Sequence, residues 1–411
     1  MEAHRLKDYA RLLIETGVNL QKDQDLVITS PVENYEFVEL LTQVAYTHGA
    51  REVFVNWMDV KIDRYKFLYA SQETLGRIPG WKTRFYEETQ KEGAAYIRLS
   101  GTDPDALKGV DPNKVMIYTK ASGEALQDYR EKLMNNENTW CVAAVPTTAW
   151  AKKVFPDELT ETAVEGLWEA ILRANRLGEM GSLENLKVHG EALRKRVEYL
   201  NGLELKSLHY TNSLGTDLTI ELPEAHQWLG GEEKRRDGVV FMANLPTEEV
   251  FTLPKKEGVN GRVVASKPFV YSGTLIKGMA LTFKEGKVVD YRADEGQEAL
   301  KNLIELDKGS CYLGEVALVP HESPISQMNI LFYNTLFDEN ASCHLAFGQA
   351  YPGCLKGGET MTKKALASQG MNTSMAHEDF MVGTPDLKIT GIDSQGREIE
   401  IFTMGNFKVK L

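Results

Sequence analysis

The chain has 411 residues, with 47 lysines and arginines against 59 aspartates and glutamates, a net charge of −12. That acidic balance excludes a broad electrostatic grip on nucleic acid. A composition of 42% hydrophobic and 26% charged residues excludes a disordered or collagen-like chain, and at roughly 150 residues per domain the length predicts two or three domains.

The amino-terminal half alternates between two hydrophobic periods. Leu6 to Thr16 carries apolar residues at helical spacing (Leu6, Tyr9, Ala10, Leu13) and stops at Gly17, which predicts a helix with a glycine cap. The apolar run from Asp25 to Thr29 predicts a buried strand ending at Ser30 and Pro31. Tyr35 to Thr47 predicts a second helix, closed by His48 and Gly49, and Glu52 to Trp57 a second strand. Ala94 to Leu99 and Thr139 to Val145 add two more strands, each preceded by a helical segment. Strand, helix and strand in this alternation predict an α/β domain: a doubly wound, mostly parallel sheet with helices on both faces. No G-x-G-x-x-G and no G-x-x-x-x-G-K-[ST] follows any of these strands, so no nucleotide site is expected here.

From about Gly181 the texture changes. A helix from Asn185 to Leu200 ends at Asn201 and Gly202, and short alternating runs follow at Leu218 to Leu222 and Arg262 to Ala265. Ala280 to Tyr291 reads as a β-hairpin turning at Lys284 to Lys287. The expectation is an amino-terminal domain over 1–180 followed by a mixed α+β, largely antiparallel domain over 181–411. The four cysteines, Cys141, Cys311, Cys343 and Cys354, are scattered without a C-x-x-C pair, which suits a reducing compartment. The first residues mix both charges and lack the apolar core of a signal peptide. No run approaches the ~18 apolar residues of a membrane span. A soluble, cytoplasmic chain with no membrane partner is expected.

Several chemistries lack their residues. There is no G-x-S-x-G and no H-E-x-x-H, and Cys343 beside His344 makes no nucleophile–base pair, because adjacent residues of a strand point to opposite faces. The second half instead places acids and imidazoles inside apolar or glycine-rich surroundings. Glu248 and Glu249 precede an apolar pair, Glu315 opens a buried-looking strand, Glu339 and His344 share one segment, and His377 and Asp379 share another. Taken singly, each has an ordinary reading: a strand-edge glutamate, a packed histidine, a turn at Asp338 to Asn340. In an extended segment His377 and Asp379 share a face while Glu378 points away. If Glu249, Glu315, Glu339, His344, His377 and Asp379 converge, four carboxylates meet two imidazoles. Two unit negative charges ~5 Å apart repel by about 3 kcal/mol at an effective dielectric of about 20, so such a cluster needs counter-charge. Two divalent cations cancel four negative charges, and a shared carboxylate suits the spacing of two-metal hydrolases. Oxygen and imidazole donors without thiolate fit zinc, cobalt, manganese or magnesium.

At these segments the chain resembles the bacterial metal-dependent aminopeptidases that include aminopeptidases T, S and II. The stretches that carry the resemblance are NLPTEEVF (244–251), GEVALV (314–319), LFDENASCHLAFG (336–348), SMAHEDFM (374–381) and, at the amino terminus, YARLLIETG (9–17). The resemblance implies a two-metal exopeptidase acting on peptides with a free amino terminus, with Glu249, Glu315, Glu339, His344, His377 and Asp379 as metal ligands and Glu315 as the bridge. Zinc or cobalt is expected as the metal, with manganese or magnesium as alternatives; the resemblance implies a homodimer, and residues 1–180, which carry no obvious chemistry of their own, are expected to wall or gate the site. Tyr351 matches a tyrosine placed beside the metals, suited to stabilising the oxyanion, although Gly348 and Pro352 speak against one continuous helix from His344. Glu248 and Glu315 are the candidate proton acceptors. Two other readings stay open: another dinuclear amidohydrolase or dipeptidase, and a non-enzymatic two-domain protein that clamps a small ligand.

Overall fold

The computed structural model describes residues 2–101, 103–177, 183–271 and 273–410. It divides into two compact units, Met1–Leu186 with Glu232–Pro246, and Lys187–Gly231 with Thr247–Leu411.

The first unit is built on a four-stranded parallel sheet in the order Val53–Met58, Leu26–Pro31, Ala95–Ser100, Trp140–Ala144. Helices lie between the strands in sequence, as parallel pairing requires. Leu26, Val27 and Ile28 are almost wholly buried, which is why this strand reads as a continuous apolar run rather than an alternating one. The helix Tyr35–His48 ends as its sequence predicts, with Gly49 in the left-handed region at φ 112°. The first helix ends differently. Ala3–Leu12 is α-helical, and Leu13–Gly17 widens into a π-turn in which the Val18 N–H donates to the Leu13 carbonyl at 2.9 Å. Gly17 serves there as a point of close approach, since a Cβ would stand 3.0 Å from Cys141 Sγ. The segment Glu232–Pro246 joins this unit through its backbone: Val142 donates to Ala243 at 2.7 Å and accepts from Leu245 at 2.9 Å.

The second unit holds two main antiparallel sheets, beside the short ribbon of Phe269–Tyr271 with Thr274–Ile276. The larger has eight strands in the order Lys287–Arg292, Ala280–Lys284, Val259–Val264, Asp217–Glu221, Leu205–Thr211, Lys388–Asp393, Glu398–Thr403, Asn406–Phe407. Its first pair is the hairpin read over 280–291. The smaller has four strands in the order His377–Met381, His344–Gly348, Leu313–Leu318, Val250–Thr252. One apolar core serves both. Leu208, Ile220, Val263 and Ile389 from the larger sheet join Val250, Val316, Leu318, Leu345, Phe347 and Phe380 from the smaller in a single buried cluster.

That core fixes the faces of the smaller sheet. Leu345, Phe347 and Phe380 point into it, so the alternate residues His344, Ala346 and Asp379 point the other way. Leu313 also packs in the core and pairs with Phe347, yet Glu315, two residues on, pairs with Ala346. A β-bulge at Gly314 absorbs the extra residue and turns Glu315 onto the face opposite the core. A Cβ at Gly314 would run into the carbonyl oxygens of Gly348 and Gln349, well inside van der Waals contact. Gly314→Ala is therefore expected to cost about 1–3 kcal/mol and lower the thermal midpoint measured by circular dichroism. Gly202→Ala, where an added Cβ meets nothing within 4 Å, is the control and should leave the midpoint unchanged.

Candidate metal centre

On the face of the smaller sheet that turns away from the core, cross-strand pairing sets Glu315, Ala346 and Asp379 in one row and Phe251, Ala317, His344 and Met381 in the next. Glu249 precedes the edge strand by one residue and lies two before Phe251, and His377 lies two before Asp379, so both share this face. Ala317 and Ala346 leave the middle of the face open. The short turn Glu339–Ala341, which leads into the strand His344–Gly348, carries Glu339. Five acids and imidazoles from four separate strand segments thus meet above two alanines.

The distances are close. His344 Nε2 lies 3.0 Å from Glu249 Oε2 and 3.4 Å from Glu315 Oε1. His377 Nε2 lies 3.6 Å from Glu315 Oε2 and 3.8 Å from Asp379 Oδ1. Ligand atoms of Glu249, Glu315 and His344 fall within 4.8 Å of one another, and so do those of Glu315, His377 and Asp379. Glu315 is common to both groups.

The far side of each imidazole is committed. His344 Nδ1 lies 3.1 Å from the Ser342 carbonyl and His377 Nδ1 2.7 Å from the Gln349 carbonyl. A carbonyl only accepts, so each Nδ1 carries a proton, and the neutral ring presents its Nε2 lone pair to the carboxylates. Lone pairs facing carboxylate oxygens at these distances repel unless a positive centre sits between them. Two further atoms point to the same need: Glu249 Oε2 and Asp379 Oδ1 are buried without a hydrogen-bond partner. The donor set therefore fits a divalent cation, and the carbonyls behind the imidazoles are the orienting contacts that metal-binding histidines use.

The electrostatics of the side chains themselves favour bound positive charge. Burial raises the Glu339 carboxyl well above the usual carboxylate range, and Asp379 and Glu249 add to the effect. Burial also raises Glu315, against the pull of His344 and His377. Burial alone would lower both imidazoles, but Glu249 and Glu315 drive His344 well above its ordinary value, and Asp379 with Glu315 raises His377. Every resolved shift in the cluster thus runs towards the more positively charged form.

The remaining sequence-predicted residues divide. Tyr351 follows the strand His344–Gly348 in extended conformation rather than on a helix. Its ring centroid lies 4.9 Å from that of His377. Burial and the surrounding Glu315, Asp379, Glu339 and Glu249 hold its phenol well above the usual value. Glu248 is directed elsewhere, with its carboxylate 3.7 Å from His189 Nε2 and 1% of the residue exposed. Sequence reasoning missed Asn340, which is wholly buried. Its Oδ1 accepts from the Glu248 N–H at 2.7 Å, and its Nδ2 donates to the Leu336 carbonyl at 2.8 Å and reaches Glu339 Oε1 at 3.4 Å. It ties the Glu249 segment to the Glu339 turn. It missed Gly314 too, although a lone glycine in a strand pattern is the ordinary signal of a bulge.

A buried face of this kind, four carboxylates and two imidazoles with no thiolate, defines a metal-dependent enzyme rather than a passive clamp. The chain belongs to the thermophilic metalloprotease (M29) family, whose sequence description matches residues 2–407. It is 44% identical over 405 residues to aminopeptidase AmpS of Bacillus subtilis (strain 168), covering 98% of both chains. It is 43% identical over 406 residues to aminopeptidase 2 of Geobacillus stearothermophilus, covering 99% of this chain and 98% of that one. The solved structure of wild-type AmpT from Thermus thermophilus superposes with a TM-score of 0.93 at 38% identity, covering 99% of each chain. The expected family, α/β fold and class, a metal-dependent aminopeptidase, are borne out.

The raised groups set a pH dependence. Glu315, Glu339, His344 and His377 each bind their proton more tightly in the folded metal-free protein than in the unfolded chain. Their stabilisation is present at low pH and is lost as pH rises through the folded pKa values. The exposed acids whose pKa is lowered, such as Asp237 and Asp386 at about 2, finish titrating below this range. After chelation the thermal midpoint is therefore expected to fall as pH rises above the unfolded values of these groups, about 4.3 for glutamate and about 6.5 for histidine, and added divalent metal should restore it most at the alkaline end. Calorimetric scans with and without chelator check this; a chelated midpoint that rises across that range would contradict it.

Proposed function

We propose that the chain removes amino-terminal residues from peptides with a pair of divalent cations, held by Glu249, Glu315, Glu339, His344, His377 and Asp379 and bridged by Glu315. The observation that carries this reading is the single carboxylate shared by two three-residue groups, each with an imidazole lone pair turned inward. Zinc and cobalt suit the mixed imidazole and carboxylate donors, with manganese and magnesium as alternatives. The family's metal dependence and the names of the relatives support the same reading.

When bound, the cations supply Lewis-acid polarisation of the scissile carbonyl and bring the pKa of water towards neutrality. The chain's own groups do the rest. Tyr351, kept protonated by burial and by its acidic neighbours, offers an O–H to the oxygen on which charge develops. Of the two candidate proton acceptors, Glu248 faces His189 and is closed to water, and Glu315 is the shared carboxylate of the two groups, so neither stands free beside the cluster. His377 and Asp379 are half-buried and His344 is 1% exposed, so the His377 end is where a peptide enters. A substrate's free α-amine would offer bound cations one further nitrogen donor, which favours action at the amino terminus.

An amino-acid p-nitroanilide should be hydrolysed and its N-acylated counterpart should not; equal rates would transfer the site to a broader amidohydrolase. Glu315→Gln is expected to lose more than about 100-fold in activity and at least one equivalent of metal by elemental analysis. Retention of both would remove the bridge. Tyr351→Phe is expected to keep its metal and its KM while kcat falls by about 10²–10³.

A further inference from the structure

The two three-residue groups of the candidate centre are not held alike. His344 opens a strand that is paired on both sides, with Leu313–Leu318 on one and His377–Met381 on the other. His377 opens the edge strand of the same sheet, and its pairing with Gly348 is the last of the ladder. An edge strand is held from one side only and opens first at its ends. Further restraint on His377 comes from the segment just before it.

Residues 374–376 lie outside the strand, yet all three of their backbone N–H groups are taken. The Ser374 N–H donates to Gln349 Oε1 at 3.0 Å, the Met375 N–H to Asp307 Oδ2 at 2.6 Å, and the Ala376 N–H to Ser374 Oγ at 3.1 Å. The Ser374 hydroxyl in turn donates to Asp307, 2.9 Å from Oδ1 and 3.0 Å from Oδ2. The same carboxylate closes its own turn, where Oδ1 accepts from the N–H groups of Gly309 and Ser310 at 2.7 and 2.9 Å. The two stretches lie so close that a Cβ on Gly309 would run into the Thr373 carbonyl. Four donors on two oxygens suit an ionised carboxylate, which only accepts. Burial acts to raise the Asp307 carboxyl, but these donors hold it below the usual carboxylate range. An asparagine would keep one acceptor oxygen and turn its NH2 towards Met375 or towards the Gly309 turn, donor against donor.

From Asp307 the path to the site is short. The Ala376 carbonyl accepts from the Gln349 N–H at 2.7 Å, and the Gln349 carbonyl accepts the His377 Nδ1 proton at 2.7 Å. The carbonyl that sets the His377 tautomer is thus bonded back to the segment that Asp307 holds. The His344 ring draws instead on the Ser342 carbonyl. We propose that Asp307 is a positioning residue of the metal centre, acting through Ser374 and Met375 on the start of the strand His377–Met381. It sets how tightly the group Glu315, His377 and Asp379 holds its cation, and the group Glu249, Glu315 and His344 does not depend on it; this rests on the two-cation reading above.

The test is a zinc titration of the metal-stripped full chain against a chromophoric chelator. The wild-type chain is expected to take up two equivalents, and the one lost in His377→Ala is the one held by the His377 group. Asp307→Asn should bind that equivalent about 10–100-fold more weakly and the other with unchanged Kd. Ser374→Ala should weaken the same equivalent, and Ser374→Thr, which keeps the hydroxyl, should hold it as the wild type does. Asp393→Asn is the control for stability alone. Asp393 accepts from the N–H groups of Gln395 and Arg397 at 2.8 and 2.9 Å in a turn of the larger sheet, so its loss should lower the thermal midpoint and leave both constants unchanged. Wild-type constants in Asp307→Asn and Ser374→Ala overturn the proposal. So does equal weakening of both equivalents, or a Ser374→Thr chain that binds no tighter than Ser374→Ala. If Asp307→Asn does not fold, the two Ser374 variants decide the matter by themselves. A wild-type chain that binds fewer than two zinc ions overturns the two-cation reading, and this inference with it, before any variant is made.

Discussion

Four carboxylates in a space largely closed to water cannot all be ionised unless positive charge sits among them. That constraint governs the second unit. It is visible in four groups and two atoms: Glu315 and Glu339 are pushed up, His344 and His377 are pushed up in spite of burial, and two carboxylate oxygens are left without hydrogen-bond partners. A protein selected only for stability would replace such a group of residues with apolar ones. The backbone carbonyls of Ser342 and Gln349 turn the same constraint into chemistry, because they hold both imidazoles in the tautomer that presents a lone pair.

The fold meets the constraint by separating two faces of one small sheet. One face is apolar to the point of continuity with the larger sheet's core, with Val316, Leu318, Leu345, Phe347 and Phe380 all inside it. The other carries the acids and imidazoles, with Ala317 and Ala346 giving them room. Because side chains alternate strictly along a strand, a slip of one residue would send the acids into the core and the phenylalanines into the site. The bulge at Gly314 is the one place where this alternation is broken, and it is broken to bring Glu315 round. Rigid strands position charged groups more tightly than loops do, which is what a site sensitive to tenths of an ångström needs.

The first unit shows why fold and function must be argued separately. Its parallel sheet, ordered with the Leu26–Pro31 strand between those of Val53–Met58 and Ala95–Ser100, has the architecture that commonly binds nucleotides at its strand ends, yet it carries no glycine-rich phosphate loop. The candidate metal centre lies in the second unit, and it arises from residue type and register rather than from the class of fold.

Much was legible from local pattern. Apolar runs and glycine caps marked the parallel sheet and its helices, since a strand buried on both faces and an amphipathic helix leave different periods in the chain. The turn at Lys284 to Lys287 announced its hairpin for the same reason. The residue types of the candidate site, and the shared face of His377 and Asp379, could be read as well, because a period of two acts over neighbouring residues. Convergence could not be read. Glu249, Glu315, His344 and His377 are brought together by cross-strand pairing between segments up to 128 residues apart, and pairing partners are chosen by the packing of the opposite face. The division between Glu248 and Glu249, the bulge at Gly314, the tie through Asn340 and the π-turn at Leu13–Gly17 depend on neighbours distant in sequence. Local chemistry determined which groups were available; the shared core determined which of them meet.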